Sequence, residues 1–219
     1  MSGTASAAAG LSVVVALALA LACDPAPVAE TPREQTPQVD AAAVESTPAP
    51  AQALDLGGAP VDPFAGDAKA VVLVFLGRDC PISNRYAPEL ARIREEFASA
   101  SVAWWLVFPD PDDEAAAIER HLGEYDLKGP ALRDPMHVLV RESGVRVTPE
   151  VAVFTRDGGA VRRVYRGRID DRWVDYGRAK PAARTRELAD AITAALAGTA
   201  PKVADVPGVG CPIDDLLPS

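Results

Sequence analysis

The chain has 219 residues and a formal net charge of −9. That balance excludes the basic surface that nucleic-acid binding needs, and it argues against an anionic membrane surface as a partner of the globular part. Once an N-terminal leader and tether are set aside, the remaining length suits one core and one domain.

The N-terminus opens with an apolar run, Leu11 to Ala22, about as long as a signal-peptide core and short for a bilayer span. It ends Leu19-Ala20-Leu21-Ala22-Cys23. Small residues before a cysteine resemble the lipobox of bacterial lipoproteins. The resemblance implies that residues 1–23 are a signal segment, that Cys23 is lipidated, and that the chain is exported to the cell envelope and touches the membrane through that lipid alone. No Lys or Arg precedes the apolar run, and Ala20 stands where a larger aliphatic residue is usual. A plain cleaved signal and an uncleaved anchor are the alternatives. Residues 24–53 are Pro, Ala, Thr, Glu and Gln with almost no large apolar side chains, so they cannot bury enough surface to offset their ordering entropy. They are expected to form a disordered tether ahead of a domain over 54–200 and a tail over 201–219.

Within the domain, Ala53 to Leu56 reads as a short opening strand and Pro60 to Asp67 as loop. Ala70 to Leu76 is a continuous apolar strand. A polar turn leads to Cys80 and Pro81, after which Ile82, Tyr86, Leu90, Ile93 and Phe97 recur at three- and four-residue steps. That spacing predicts one helix running to about Ala98. Proline suits a first helical turn, so Cys80 stands where a central strand hands over to a helix. The free N–H groups and the helix dipole there, around Pro81 and Ser83, favour thiolate over thiol.

Val102 to Phe108 is a second continuous apolar strand, which implies a sheet covered on both faces and places Trp104 and Trp105 in the core. Asp110 and Asp112 are expected to cap a helix over about 112–124. His121 would then lie on a solvated helix surface. Pro135 to Ser143 reads as a short helix carrying His137. Thr148-Pro149 precedes the strand Val151 to Phe154, Asp157-Gly158-Gly159 reads as a hairpin turn, and Ala160 to Gly167 as a strand near one edge. Thr185 to Leu196 forms an amphipathic helix ended by Gly198. The order predicts an α/β domain with helices on both sheet faces.

This order, with a cysteine after the central strand and Thr148-Pro149 ahead of a hairpin, resembles the thioredoxin fold. The stretch Phe75 to Leu90, with Cys80-Pro81-Ile82-Ser83, is similar to the redoxin branch that includes the peroxiredoxins, as are Thr148 to Val151 and Tyr165 to Asp171. The resemblance covers about residues 54 to 215. It implies a central mixed β-sheet with helices on both faces. It also implies a cis Pro149 beside the active sulfur, with the Thr148 backbone facing an incoming disulfide or thiol partner. Two positions depart from the pattern. Ser83 stands where dithiol relatives carry the second cysteine of Cys-x-x-Cys, which removes a local disulfide. Gly77 stands where peroxiredoxins carry Thr or Ser three residues before the peroxide-attacking cysteine.

The expected catalytic set is Cys80, Cys211, Thr148 and Pro149. If Cys23 is lipidated, Cys80 and Cys211 remain, an even number in an oxidising compartment. Each is followed by Pro-Ile. Cys80 would attack a partner's disulfide or a peroxide, and Cys211 would resolve the product, staple the tail or stay unpaired. Pro201, Pro207, Gly208 and Gly210 suggest a tail mobile enough to bring Cys211 in. Arg78 and Arg85 are candidates for lowering the thiol pKa, with Asp79 opposing. No cofactor is expected. Copper handling through Cys80 with a histidine, and a non-catalytic binding module, are the rival readings.

Overall fold

The structure, a computed structural model, describes residues 52–157 and 160–213. The expected leader with Cys23, the expected tether up to residue 51, the expected turn at Gly158-Gly159 and residues 214–219 lie outside the described residues. The chain forms strands β1 (Ala53–Asp55), β2 (Pro60–Val61) and β3 (Ala70–Phe75), helices α1 (Pro81–Arg85) and α2 (Ala87–Glu96), and β4 (Val102–Phe108). It continues through α3 (Ala115–Glu124), β5 (Ala131–Arg133), α4 (Val138–Ser143), β6 (Val147–Thr148), β7 (Glu150–Asp157) and β8 (Ala160–Gly167). Last come β9 (Trp173–Asp175), β10 (Arg178–Ala179), α5 (Glu187–Leu196), β11 (Asp205–Val206) and β12 (Cys211–Pro212).

Eight strands make one mixed sheet in the order β11-β8-β7-β3-β4-β5-β1-β2. β3 runs parallel to β4 and antiparallel to β7, so the apolar run Ala70 to Phe75 is paired on both sides. Its side chains alternate between two cores, as strand geometry requires. Ala70, Val72 and Val74 pack with residues of α1, α2, α3 and α5. Val71, Leu73 and Phe75 pack with Leu139 and Val140 of α4. Helices therefore cover both faces.

The predicted single helix after Cys80 is two. Tyr86 ends α1 and begins α2. Pro88 is the cause, because it lacks an N–H and its ring crowds the carbonyl four residues back. α3 starts at Ala115 with no side-chain cap, and Asp110 instead accepts from the Asp112 N–H within the loop at 2.9 Å. α4 starts three residues later than Pro135 because Asp134, fully buried, accepts from the N–H groups of Val138 and Val140 at 2.7 and 2.9 Å. His121 is not solvated. It is buried against Phe108 and Tyr125, and burial, then the Arg78 charge, lowers its pKa. His137 caps α4 in the left-handed region and lies buried, its Nε2 2.9 Å from the Pro109 carbonyl oxygen. Trp104 is core, whereas Trp105 is half-buried.

The tail is the largest difference from expectation. It is pinned at two places. β11 pairs in parallel with β8, beyond the edge the sequence pattern implies, and β12 pairs antiparallel with β6. Gly167 makes the first contact possible: its φ is +143°, and a Cβ there would lie 1.9 Å from the Val206 carbonyl oxygen. Gly167→Ala is expected to destabilise the fold by about 2–3 kcal/mol, read as a lower urea midpoint. An unchanged midpoint would mean that β11 does not hold the tail.

Candidate active site at two converging thiols

Cys80 is the N-cap residue of α1, in extended backbone geometry, with its carbonyl accepting from the Asn84 N–H at 3.1 Å. Its side chain is only 3% exposed. The sulfur lies 3.0 Å from the Thr148 carbonyl oxygen, and the Thr148–Pro149 peptide bond is cis. Cys211, half-buried, comes from the far end of the domain, and its Sγ lies 2.7 Å from that of Cys80. Both are free thiols. At this separation a disulfide can form without rearranging the elements that carry them.

Backbone pairing brings the second sulfur in. Cys211 lies opposite Thr148 and Pro212 opposite Val147. On either side the tail is tied down further. The Gly208 N–H donates to Glu150 Oε1 at 2.8 Å, and the Ile213 N–H donates to the Arg146 carbonyl at 3.0 Å. Glu150 is 5% exposed, and its other oxygen accepts from the Arg146 N–H at 2.8 Å. One buried carboxylate thus clamps the tail to the loop ahead of Pro149. Sequence reasoning missed Glu150; the available signal was an acidic residue opening an otherwise apolar strand. The shared Pro-Ile after each cysteine has a packing meaning, for Ile82 anchors in one core and Ile213 in the other.

Three glycines make the convergence sterically possible. A Cβ at Gly210 would lie 2.1 Å from the Thr148 carbonyl oxygen, and one at Gly208 would lie 2.7 Å from the Glu150 side chain. A Cβ at Gly77 would lie 2.7 Å from Thr148 Oγ1 and 3.1 Å from the Cys80 Cβ. A side chain at residue 77 would therefore require Thr148 Oγ1 to move.

The two sulfurs are electrostatically unequal. Burial alone would raise the Cys80 pKa, but hydrogen bonds from Cys211 and from the Ser83 backbone and hydroxyl bring it below the ordinary thiol value. Cys211 is pushed up to about 12, first by burial and then by its neighbour Cys80, with the Tyr176 hydroxyl opposing. Ser83, in the place of a second local cysteine, is 1% exposed and also accepts from the Gly77 N–H at 3.3 Å. The arginines expected to act on the sulfur are engaged elsewhere. Arg78 pairs with buried Asp113 at 2.8 Å and with Asp79 at 3.1 Å, and Arg85 lies over the Trp173 ring. Pro81 is exposed at the α1 N-terminus.

Both cysteines open onto a cleft of about 770 Å³ whose walls include Pro109, Asp110, Asp112, His137 and Thr148. Among the described residues, no three His, Cys, Asp or Glu side chains converge as a metal site.

No family model matches this chain, and no curated protein matches it. Solved structures do. A hypothetical protein from Sinorhizobium meliloti is 22% identical over 73% of this chain and 87% of its own, with a TM-score of 0.59. An uncharacterized conserved protein from Geobacillus kaustophilus is 22% identical over 77% of this chain and 91% of its own, also at 0.59. The fold is thioredoxin-like. A secreted disulfide oxidoreductase of Mycobacterium tuberculosis, homologous to E. coli DsbE, is 22% identical over 67% of this chain and 93% of its own, at 0.44.

Two substitutions separate the contributions at this site. Ser83→Ala removes a donor to the Cys80 thiolate and is expected to move its titration upward, followed by thiolate ultraviolet absorbance against pH in the Cys211→Ser background. Gly210→Ala is expected to lift the tail from Thr148 and speed alkylation of Cys80 by about tenfold or more, since reactivity follows access as well as thiolate fraction. Equal alkylation rates in Gly210→Ala and the parent would mean that the tail does not shield Cys80.

Proposed function

We propose that the protein is an exported thiol–disulfide oxidoreductase of redoxin type, held to the cell envelope by a lipid on Cys23, with Cys80 and Cys211 as its redox pair. The observation that carries this reading is the 2.7 Å approach of the two sulfurs, one depressed and one elevated in pKa. The thioredoxin-like fold agrees with it but does not by itself establish activity.

With the tail lifted, the Cys80 thiolate attacks a partner's disulfide. A Cys80–partner bond forms and one partner thiolate leaves. Cys211, deprotonated as it returns, attacks the Cys80 sulfur. The second partner thiolate leaves and a Cys80–Cys211 disulfide remains. Two electrons have passed from the pair to the partner, and a thiol reductant restores them. Gly77 favours a disulfide over a peroxide as substrate, because it carries no hydroxyl three residues before Cys80.

Two variants test the roles with a disulfide-bonded protein as substrate and dithiothreitol as reductant. Cys80→Ser is expected to lower turnover to the uncatalysed background. Cys211→Ser is expected to stop after the first attack and accumulate a Cys80–substrate adduct visible on non-reducing gels. Full turnover by Cys211→Ser would remove the resolving role, and full turnover by Cys80→Ser would remove the whole reading. Incorporation of labelled palmitate that is lost in Cys23→Ser tests the anchor.

A further inference from the structure

We infer that Cys211, not Cys80, is the sulfur attacked when the oxidised pair is reduced, so that the reducing partner forms its mixed disulfide on Cys211. The inference rests on the Cys80–Cys211 couple proposed above and divides its two half-reactions between two sulfurs.

Access is the first argument. Cys80 is 3% exposed, with the Thr148 carbonyl and the docked Cys211 both against its sulfur. Cys211, on the segment paired with β6, is half-buried and so the more exposed of the two. An incoming thiolate must approach opposite the sulfur it displaces. Attack on Cys211 comes opposite Cys80, and its neighbour Tyr176 is itself 62% exposed. Attack on Cys80 must instead come opposite Cys211, at a sulfur whose residue is only 3% exposed.

The leaving group is the second argument. Exchange is faster when the departing thiol has the lower pKa. Attack on Cys211 expels Cys80, whose thiolate Ser83 stabilises. Attack on Cys80 would expel Cys211, which lacks the Ser83 donors and whose thiolate burial disfavours. Access and leaving-group quality therefore select the same atom.

The step balances as follows. The partner thiolate bonds to Cys211 Sγ as the Cys80–Cys211 bond breaks, and the electron pair departs on Cys80. A second partner thiolate attacks the partner sulfur in that adduct, forming the partner's disulfide. Cys211 leaves and takes up a proton. Two electrons have entered the pair, and the reductant is oxidised to its disulfide.

The test uses the full chain with Cys23→Ser, oxidised with diamide and freed of oxidant. It is mixed briefly with excess cysteamine and iodoacetamide, quenched in acid and mapped by peptide mass. Cysteamine is a cationic monothiol suited to a rim that carries Asp79, Asp110 and Asp112. The expected product carries cysteamine on Cys211 and the alkyl group on Cys80, exceeding the reverse arrangement by about tenfold or more. Equal amounts, or a majority with cysteamine on Cys80, would overturn the inference while leaving the redox couple intact. Failure of diamide to produce a Cys80–Cys211 bond would overturn the couple itself, and this inference with it.

Discussion

Antiparallel pairing of Cys211 with Thr148 is the contact on which the site depends. It brings Cys211 to Cys80, 131 residues away in sequence, and it does so through the backbone. Loop-closure entropy grows only slowly with loop length, so a few well-placed anchors can hold so distant a segment. Here they are the β11 ladder, the Glu150 carboxylate and Ile213. None of them is chemically reactive, yet together they determine where the second sulfur stands. The requirement is steric as well as attractive, since the tail approaches Thr148 closely enough that Gly210 cannot carry a side chain.

Much of this was legible in the sequence, for identifiable reasons. The central strand announced itself because Ala70 to Phe75 is buried on both faces and so apolar at every position. Cys80 and Pro81 at the strand–helix junction, and Thr148-Pro149 ahead of the hairpin, are local signals that survive without knowledge of neighbours. The errors arose where the deciding partner is remote. His121 has polar residues beside it in sequence but Phe108 against its ring in space. Arg78 looked available to the thiol until Asp113 engaged it. The tail's Pro and Gly content suggested mobility, whereas Gly208 and Gly210 serve close approach. Composition alone does not distinguish a flexible glycine from one chosen because only hydrogen fits. The asymmetry between the two sulfurs was likewise invisible, because it depends on which side chains surround each after folding.

Ser83 shows how the site departs from a local dithiol while keeping part of its chemistry. In place of a neighbouring sulfur it presents a hydroxyl and a backbone N–H to Cys80. Those donors can stabilise a thiolate but cannot form a disulfide. The second sulfur is carried instead on a separable segment. Under the proposed mechanism, stabilising the thiolate and resolving the mixed disulfide, which a local motif would combine in four residues, are divided between a helix start and a docked strand.

The same tail has a consequence for association between molecules. A sheet edge left bare is a template for pairing with another chain. Among the described residues β11 is the strand beside β8 at this edge, paired with Arg166 and Gly167 at the end of β8. β11 and β12 are anchored to different strands, so the pairing of Asp205 and Val206 is separate from the one that places Cys211. A displacement of β12 would therefore leave paired that part of the β8 edge which β11 occupies.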